Sequence, residues 1–115
     1  MNPFIRSLAV SALLALPVAA SAQDAPVLAV ISHPVEDYAA WRQIYDDFSD
    51  EQQAGGVVME QVYQAPADPN NVTVLHGFES LEAAEGFLNS DELKSAMEGA
   101  GVAAAPTVTI VTRAD

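Results

Sequence analysis

The stretch VLAVISHPVEDYAAWRQIYDDF, Val27 to Phe48, decides the fold of this chain. It begins as a short apolar strand and continues after Pro34 as a helix in which aromatic residues recur every three or four positions. Such spacing places the rings on one face of a helix; the residues are Tyr38, Trp41, Tyr45 and Phe48. A helix with so much ring area on one side has to bury that side against a sheet or a ligand.

The remaining segments predict three more strands and a second helical region. Pro34 suits the first turn of the first helix, and Gly55 and Gly56 end it. Ser80 and Ser90 are typical caps of two successive helices. The expected order is strand 26–32, helix 34–53, strand 57–64, a turn-rich loop at 65–71, strand 72–78, helices 80–89 and 90–98, and strand 107–113. This β-α-β-β-α-β order predicts a ferredoxin-like α+β fold with a four-stranded antiparallel sheet.

The central strands predict a partner for the sheet. The usual strand order of this arrangement, 4-1-3-2, places the first and third strands in the centre. In the first strand, Val27, Ala29 and Ile31 point to one face and Leu28 and Val30 to the other, so both faces are apolar. Two helices cover only one face, and soluble monomers rarely expose a large apolar patch. We therefore expect a symmetric homodimer in which two sheets pack together.

Residues 1–22 have the layout of a secretory signal peptide. A single cation, Arg6, precedes an apolar run shorter than a membrane span, and the small residues Ala20, Ser21 and Ala22 form a cleavage site. An uncleaved anchor is the alternative. Cleavage after Ala22 would leave residues 23–115 as one domain, periplasmic or secreted, without membrane contact.

The composition is strongly acidic and free of cysteine. The chain has 16 acidic and 4 basic residues and a formal net charge of −12, and loss of Arg6 with the signal would make it −13. A surface so negative repels phosphate backbones and anionic headgroups, which argues against nucleic-acid and membrane-surface partners. Without cysteine the domain has neither disulfides nor thiolate metal ligands.

Five segments carry a family resemblance: HPVEDYAAW at 33–41, the Asp-Pro-Asn loop at 68–70, ESLEAA at 79–84, FLNSDEL at 87–93, and MEGAGV at 97–102 followed by Pro106. They resemble the dimeric α/β-barrel superfamily, and most of all small proteins with an antibiotic biosynthesis monooxygenase (ABM) domain, over residues 23–115. The resemblance implies a small-molecule-binding protein without a bound cofactor, which the signal peptide would export. Its reaction would be that of a cofactor-independent oxygenase or isomerase on an apolar or aromatic substrate. The alternative is a non-catalytic structural or binding homodimer with a vestigial cleft.

The expected ligand contacts are aromatic side chains and one histidine, namely Tyr38, Trp41, Tyr63 and His76. Tyr38 and Trp41 otherwise seal the helix against the sheet as core residues. His76 shares a strand face with apolar residues, which suits either a histidine in an apolar wall or a ligand contact. No catalytic residue is assigned, because the Asn and Trp positions of the superfamily's oxygenases and haem-degrading enzymes are not matched on the first and third strands.

Two further polar residues keep alternative roles. His33 directly precedes Pro34 and is either a helix-entry residue or a catalytic base. Arg42, like Tyr63, either orients a polar ligand or lies at the surface. Neither His-x-His nor His-x₃-His spacing occurs, so we expect no metal site. If the protein is an enzyme, a monooxygenase-like reaction is expected.

Overall fold

The computed structural model describes residues 25–114, so the predicted signal peptide and its cleavage site lie outside the described residues. Eight elements follow one another: β1 (Val27–Pro34), α1 (Tyr38–Asp47), α2 (Ser49–Ala54), β2 (Met59–Ala65), β3 (Asp68–Phe78), α3 (Leu81–Leu88), α4 (Asp91–Gly99) and β4 (Thr107–Thr112). The strands form one antiparallel sheet in the order β2-β3-β1-β4. The predicted ferredoxin-like α+β fold and its strand order are confirmed.

One face of the sheet is covered by the helices, and we call it the covered face. Alternate residues of the two central strands point into it and are 5 % exposed or less: Val27, Ala29, Ile31, Val72, Val74 and Phe78. Trp41 from α1, Phe87 from α3 and Leu93 from α4 pack against them to complete the core. The period-two pattern of the strands thus builds a single apolar layer between sheet and helices.

The opposite face carries no helix, and we call it the open face. Its apolar members are Leu28, Val30, Met59, Tyr63, Leu75 and Val111, which alternate with the residues of the covered face. The central residues among them are half-buried, whereas Tyr63 is 53 % exposed and Val111 is 41 % exposed. The predicted apolar character of both sheet faces is present in the structure. Within residues 25–114, no helix has the length and hydropathy to span a bilayer.

The first helix begins later than expected and is interrupted. The strand β1 continues through Pro34, and α1 starts after Asp37, whose side chain accepts a hydrogen bond from the backbone N–H of Ala40 at 3.4 Å. The prediction of a helix over 34–53 was wrong at its start because Asp37 is an effective N-cap. It was also wrong at its centre, because Phe48 separates α1 from α2.

The predicted loop at 65–71 is mostly strand. Only Pro66 and Ala67 lie between β2 and β3, and the pairing shifts from Gln64–Val72 to Ala65–Asp68. The three residues in between bulge out of the ladder. This bulge brings the side-chain oxygen of Asn70 to 2.8 Å from the backbone N–H of Tyr38, at the start of α1. The turn-forming residues of this segment therefore form a β-bulge, and the bulge is hydrogen-bonded to the first residue of α1.

The end of β1 is also bonded to the segment that follows α4. Glu36 N–H donates to the carbonyl of Gly101 at 2.9 Å, and Ala103 N–H donates to the carbonyl of Pro34 at 3.0 Å. Val35 forms an isolated antiparallel bridge with Val102. The start of α1 and the end of α4 are therefore held to each other through the same short stretch of backbone.

The two serine caps are confirmed. Ser80 Oγ accepts a hydrogen bond from Ala83 N–H at 3.0 Å, and Ser90 Oγ accepts one from Leu93 N–H at 3.2 Å. Ser90 Oγ also donates to the carbonyl of Phe87 at 2.8 Å, so it bonds the end of α3 as well as the start of α4. The second cap places α4 over the central strands.

Candidate functional site

A cavity lies between the covered face and two helical walls. Its lining comprises Ile31, His33, Val74 and His76 from the sheet, Trp41, Ile44, Tyr45, Phe48 and Gln52 from the α1–α2 side, and Leu93, Ala96, Met97 and Ala100 from the α4 side. It holds about 450 Å³ of atom-free space, part of it open to solvent.

The lining is apolar apart from four side chains, those of His33, Tyr45, Gln52 and His76. None of these four carries a formal charge when the imidazoles are neutral. Hydrocarbon walls with a few polar groups are the usual make-up of a small-molecule site. The cavity therefore suits a neutral, mainly apolar ligand.

Four rings form a continuous row along the cavity, and we call it the aromatic row. The His33 ring meets Trp41 edge-on with centroids 5.7 Å apart, and Trp41 stacks on Tyr45 at 4.9 Å. Tyr45 in turn stacks near His76, with centroids 6.1 Å apart. The row joins two histidines through two larger rings, and Tyr38 lies beside it, 5.8 Å from the Trp41 centroid.

A hydrogen-bonded chain fixes the proton positions at one end of this row. The Tyr45 hydroxyl donates to a carboxylate oxygen of Glu60 at 2.5 Å and lies 3.2 Å from His76 Nε2. The hydroxyl has one proton, and Glu60 as a carboxylate can only accept, so His76 Nε2 must be the protonated nitrogen that donates to Tyr45. His76 Nδ1 then carries a lone pair, and this buried atom has no hydrogen-bond partner within the described chain.

Burial sets the charge of both groups. Desolvation lowers the pKa of His76 to about 4, although the negative charge of Glu60 acts in the opposite direction. Desolvation also raises the pKa of Tyr45, and the hydrogen bond to Glu60 and its charge add to that effect. At neutral pH, His76 is thus an uncharged base and Tyr45 a protonated donor.

The other end of the aromatic row is His33. It is the last inward-facing residue of β1, 4 % exposed, and its Nδ1 is buried without a partner within the described residues. Burial lowers its pKa, opposed by hydrogen bonding to the backbone of Pro34 and of His33 itself. Its role as a helix-entry residue was wrong, because the strand extends past it and the helix begins only at Tyr38.

The predicted ligand contacts do not all come together. Trp41 and His76 line the cavity, and Tyr38 packs beside Trp41 without appearing in the lining. Tyr63 lies on the open face, where its hydroxyl donates to Gln61 at 3.0 Å. Arg42 also lies outside the lining: it forms an ion pair with Asp46 at 3.0 Å and sits 5.3 Å above the Tyr45 ring.

Three polar residues at the site were missing from the predicted set: Tyr45, Gln52 and Glu60. Tyr45 belongs to the aromatic stripe and follows Trp41 by one helical turn, so the spacing contained its signal. Glu60 pairs directly with His76 across β2 and β3, which only the strand register reveals. Within residues 25–114, His, Asp and Glu side chains form no group of three suited to a metal ion.

Comparison of the sequence with protein-family models gives no match, and no curated protein is significantly similar to it. Comparison of the structure does find relatives. A protein assigned as an antibiotic biosynthesis monooxygenase from Bordetella bronchiseptica superposes with a TM-score of 0.68 at 13 % identity, covering 79 % of this chain and 99 % of that one.

Two further structures have described activities. SnoaB, a cofactor-independent oxygenase from Streptomyces nogalater, gives a TM-score of 0.65 at 11 % identity, with 80 % of this chain and 96 % of that one covered. The ActVA-Orf6 monooxygenase from Streptomyces coelicolor, solved with nanaomycin D, gives 0.61 at 20 % identity, with 84 % and 96 % covered. At these identities the likeness concerns the fold, and this chain has the ferredoxin-like α+β fold of the antibiotic biosynthesis monooxygenase proteins.

Proposed function

We propose that this protein binds a neutral, planar phenol in the cavity and catalyses its oxygenation by molecular oxygen, with His76 as the base. The observation that carries the proposal is the uncharged imidazole of His76, which lines the apolar cavity. Its Nδ1 atom is buried and has no hydrogen-bond partner among the described residues. A perturbed titratable group in an apolar cleft is a recognised sign of a functional site. The cofactor-independent oxygenase SnoaB, which shares the fold, supports the reaction type.

The apolar walls would hold the substrate and exclude water. The edges of the stacked Trp41 and Tyr45 rings offer an apolar wall for an aromatic ligand. Met97, which is flexible and unbranched, and the small Ala96 beside it make α4 the wall that adapts.

The proton step uses the lone pair of His76. Nδ1 accepts the phenol proton, while Nε2–H keeps its hydrogen bond to Tyr45. The imidazolium so formed is stabilised by the nearby Glu60 carboxylate, which lies at the end of the Tyr45 hydrogen bond. The phenolate is electron-rich enough to pass an electron to dioxygen.

The overall reaction balances without a further reductant. For 1-naphthol, a ring C–H and the O–H bond are lost, and 1-naphthol plus O₂ gives 1,4-naphthoquinone plus water. One oxygen atom enters the ring and the other leaves as water, and all four electrons come from the substrate. The protein has to supply only a base, a dry cavity and the correct orientation.

The test measures binding and turnover separately. Calorimetric titration with 1-naphthol under nitrogen should show saturable binding, and an oxygen electrode should show one O₂ consumed per quinone formed. His76→Gln should lower turnover by about 10²–10⁴-fold while binding changes little, because it removes the base. Tyr45→Phe should have a smaller effect, and Tyr63→Phe on the open face is the matched control with none.

A cavity-filling variant tests where the phenol binds. Ala96→Leu should abolish binding by occupying the cavity, whereas Ser95→Leu on the same helix, exposed to solvent, should not. Unchanged turnover in His76→Gln would refute the role of the base. Binding of 1-naphthol without oxygen uptake would instead support the non-catalytic binding protein.

A homodimer is the second part of the proposal. The open face leaves Val30 and Leu75 partly exposed and Val111 41 % exposed, and a second copy of the sheet would cover these apolar residues. Light scattering should give the mass of two chains. Val30→Glu should give one chain or an aggregate, because a charge is placed where the partner sheet packs; Ser95→Glu on the helical surface should remain a dimer.

Export is the third part, and it is supported by the sequence of residues 1–22 alone. Protein recovered from the periplasm or the medium should begin at Gln23 in amino-terminal sequencing. A mature protein that retains the apolar run from Leu8 to Ala20 would contradict it.

A further inference from the structure

We propose that the cavity recognises a two-ended ligand: a planar two-ring molecule with a hydroxyl group at each end, one bound by His33 and the other by His76. The inference rests on the proposed function for the presence of a phenol in the cavity. Beyond the proposed function, it assigns one hydroxyl group of the ligand to each histidine. This assignment predicts which phenols bind most tightly.

The first observation is that two buried imidazole nitrogens have no hydrogen-bond partner among the described residues. His33 is 4 % and His76 is 3 % exposed, and Nδ1 of each is buried with no hydrogen bond within the described residues. Burying a polar atom without a hydrogen bond is costly, and native structures rarely do it twice in one place. Both imidazoles line the same cavity, and their Nδ1 atoms have no accessible surface in it, so a single ligand that displaces the α4 wall can satisfy both.

The second observation is the spacing of the two histidines. His76 pairs with Ala29 across the sheet, and His33 lies four residues farther along β1. At about 3.4 Å per residue the two positions are roughly 13 Å apart. Side chains stand roughly perpendicular to a sheet, and a hydrogen bond at each end takes up about 2.8 Å. About 8 Å is left between the polar atoms of the ligand, which matches hydroxyls at opposite ends of a naphthalene ring system.

The third observation is what lies between the histidines. Trp41 and Tyr45 fill the middle of the aromatic row and are stacked within 26° of parallel. A ring system that lies along the row contacts their edges, an edge-to-face arrangement that aromatic pairs favour. The cavity thus alternates polar, aromatic and polar from one end to the other, in the order expected for a diol of an aromatic hydrocarbon.

The chemistry of the two nitrogens selects hydroxyl groups. His76 Nδ1 can only accept, whereas the His33 imidazole, which also meets the backbone of Pro34, donates or accepts according to its tautomer. A hydroxyl serves both cases. A carboxylate does not, because it cannot donate to His76 and would lie near the negative charge of Glu60.

The test compares three naphthalenes by calorimetry under nitrogen: 2,6-dihydroxynaphthalene with hydroxyls at opposite ends, 2,3-dihydroxynaphthalene with both at one end, and 2-naphthol with one. The 2,6-diol should bind about tenfold more tightly than either of the others. His33→Phe, which keeps a ring against Trp41, should reduce the affinity of the 2,6-diol to that of 2-naphthol. The same variant should leave 2-naphthol within about twofold, because His76 still binds its hydroxyl.

His76→Phe gives the reciprocal result and guards against a variant that misfolds. It should also remove the advantage of the 2,6-diol, and circular dichroism should show both variants folded. If 2-naphthol binds the wild type as tightly as the 2,6-diol, the two nitrogens are satisfied by buried water and the inference is wrong. If the ranking holds but 1-naphthol consumes no oxygen, the inference stands and the proposed catalysis fails; if no naphthalene binds, both fail.

Discussion

The covered face and the open face of the sheet differ in where polar and apolar side chains lie. The covered face buries His33 and His76 among aromatic and aliphatic residues at 4 % and 3 % exposure. The open face leaves Val30 and Leu75 partly in solvent and Val111 41 % exposed. Folded proteins usually bury apolar side chains and expose polar ones. Here the covered face buries two polar rings, and the open face leaves apolar side chains in contact with solvent.

Both departures are costly, and a molecule outside this chain would relieve each of them. A hydroxylated ligand would satisfy the imidazoles of the covered face, and a second sheet would cover the apolar residues of the open face. The same strands can serve both purposes because successive residues point to opposite sides. If the proposed function holds, ligand binding and self-association use alternate positions of the same strands.

The largest expected effect is a difference in the free energy of unfolding between a variant of the covered face and a variant of the open face. Phe78 is fully buried on the covered face, so Phe78→Ala should lower the free energy of unfolding by about 3–5 kcal/mol. Val111→Ala on the open face should cost less than about 1 kcal/mol in the monomer. Urea denaturation at low protein concentration measures both. Similar losses for the two variants would show that the open face is covered under those conditions.

A smaller effect should appear as a dependence on pH. The pKa of His76 is about 4 when folded and 6.5 when unfolded, so above pH 6.5 the residue contributes nothing to the pH dependence. As the pH falls from 6.5 to 4, the unfolded chain takes up a proton that the folded chain does not, and stability decreases. The total loss is about 3 kcal/mol and does not grow below pH 4.

The difference in unfolding free energy between wild type and His76→Gln isolates this contribution, since His33 and the carboxylates are present in both. The difference curve should fall between pH 6.5 and 4 and be flat outside that range. A flat curve throughout would mean that the His76 imidazole is hydrated in the folded protein, which would weaken the contrast between the faces.

The smallest effect concerns the one cross-strand hydroxyl pair resolved on the open face. Ser32 Oγ lies 2.8 Å from Thr73 Oγ1. Replacing both, as Ser32→Ala with Thr73→Val, should change the stability of the monomer by about 1 kcal/mol or less, because both partners of the bond are removed together. The more apolar face should associate more tightly, which sedimentation equilibrium would measure; weaker association would argue against a sheet-to-sheet dimer.

The sheet could be predicted from the sequence because strand alternation is a local signal. Val27, Ala29 and Ile31 identify the covered face without further information. The caps Ser80 and Ser90 were equally local. The start of α1 was not, because Pro34 also suits a helix, and its place in the strand depends on contacts with the distant segment around Ala103.

The candidate site could be predicted only in part, for a related reason. Trp41 and His76 follow from helical and strand periodicity. The link from His76 through Tyr45 to Glu60 requires the register of β2 against β3, which the sequence does not contain. Tyr63 has the same aromatic character as the others, but its position in β2 has the opposite parity to Glu60, so it faces away from the helices.

The bonding of Glu36 to Gly101 and of Tyr38 to Asn70 has a mechanical consequence. The two helical walls of the cavity are stiffly joined where α1 begins and α4 ends, beside His33. At the other end, where α1 ends and α4 begins, ring packing of Phe48 on Phe87 takes the place of backbone hydrogen bonds. Hydrogen exchange should therefore be slow at the Glu36 amide.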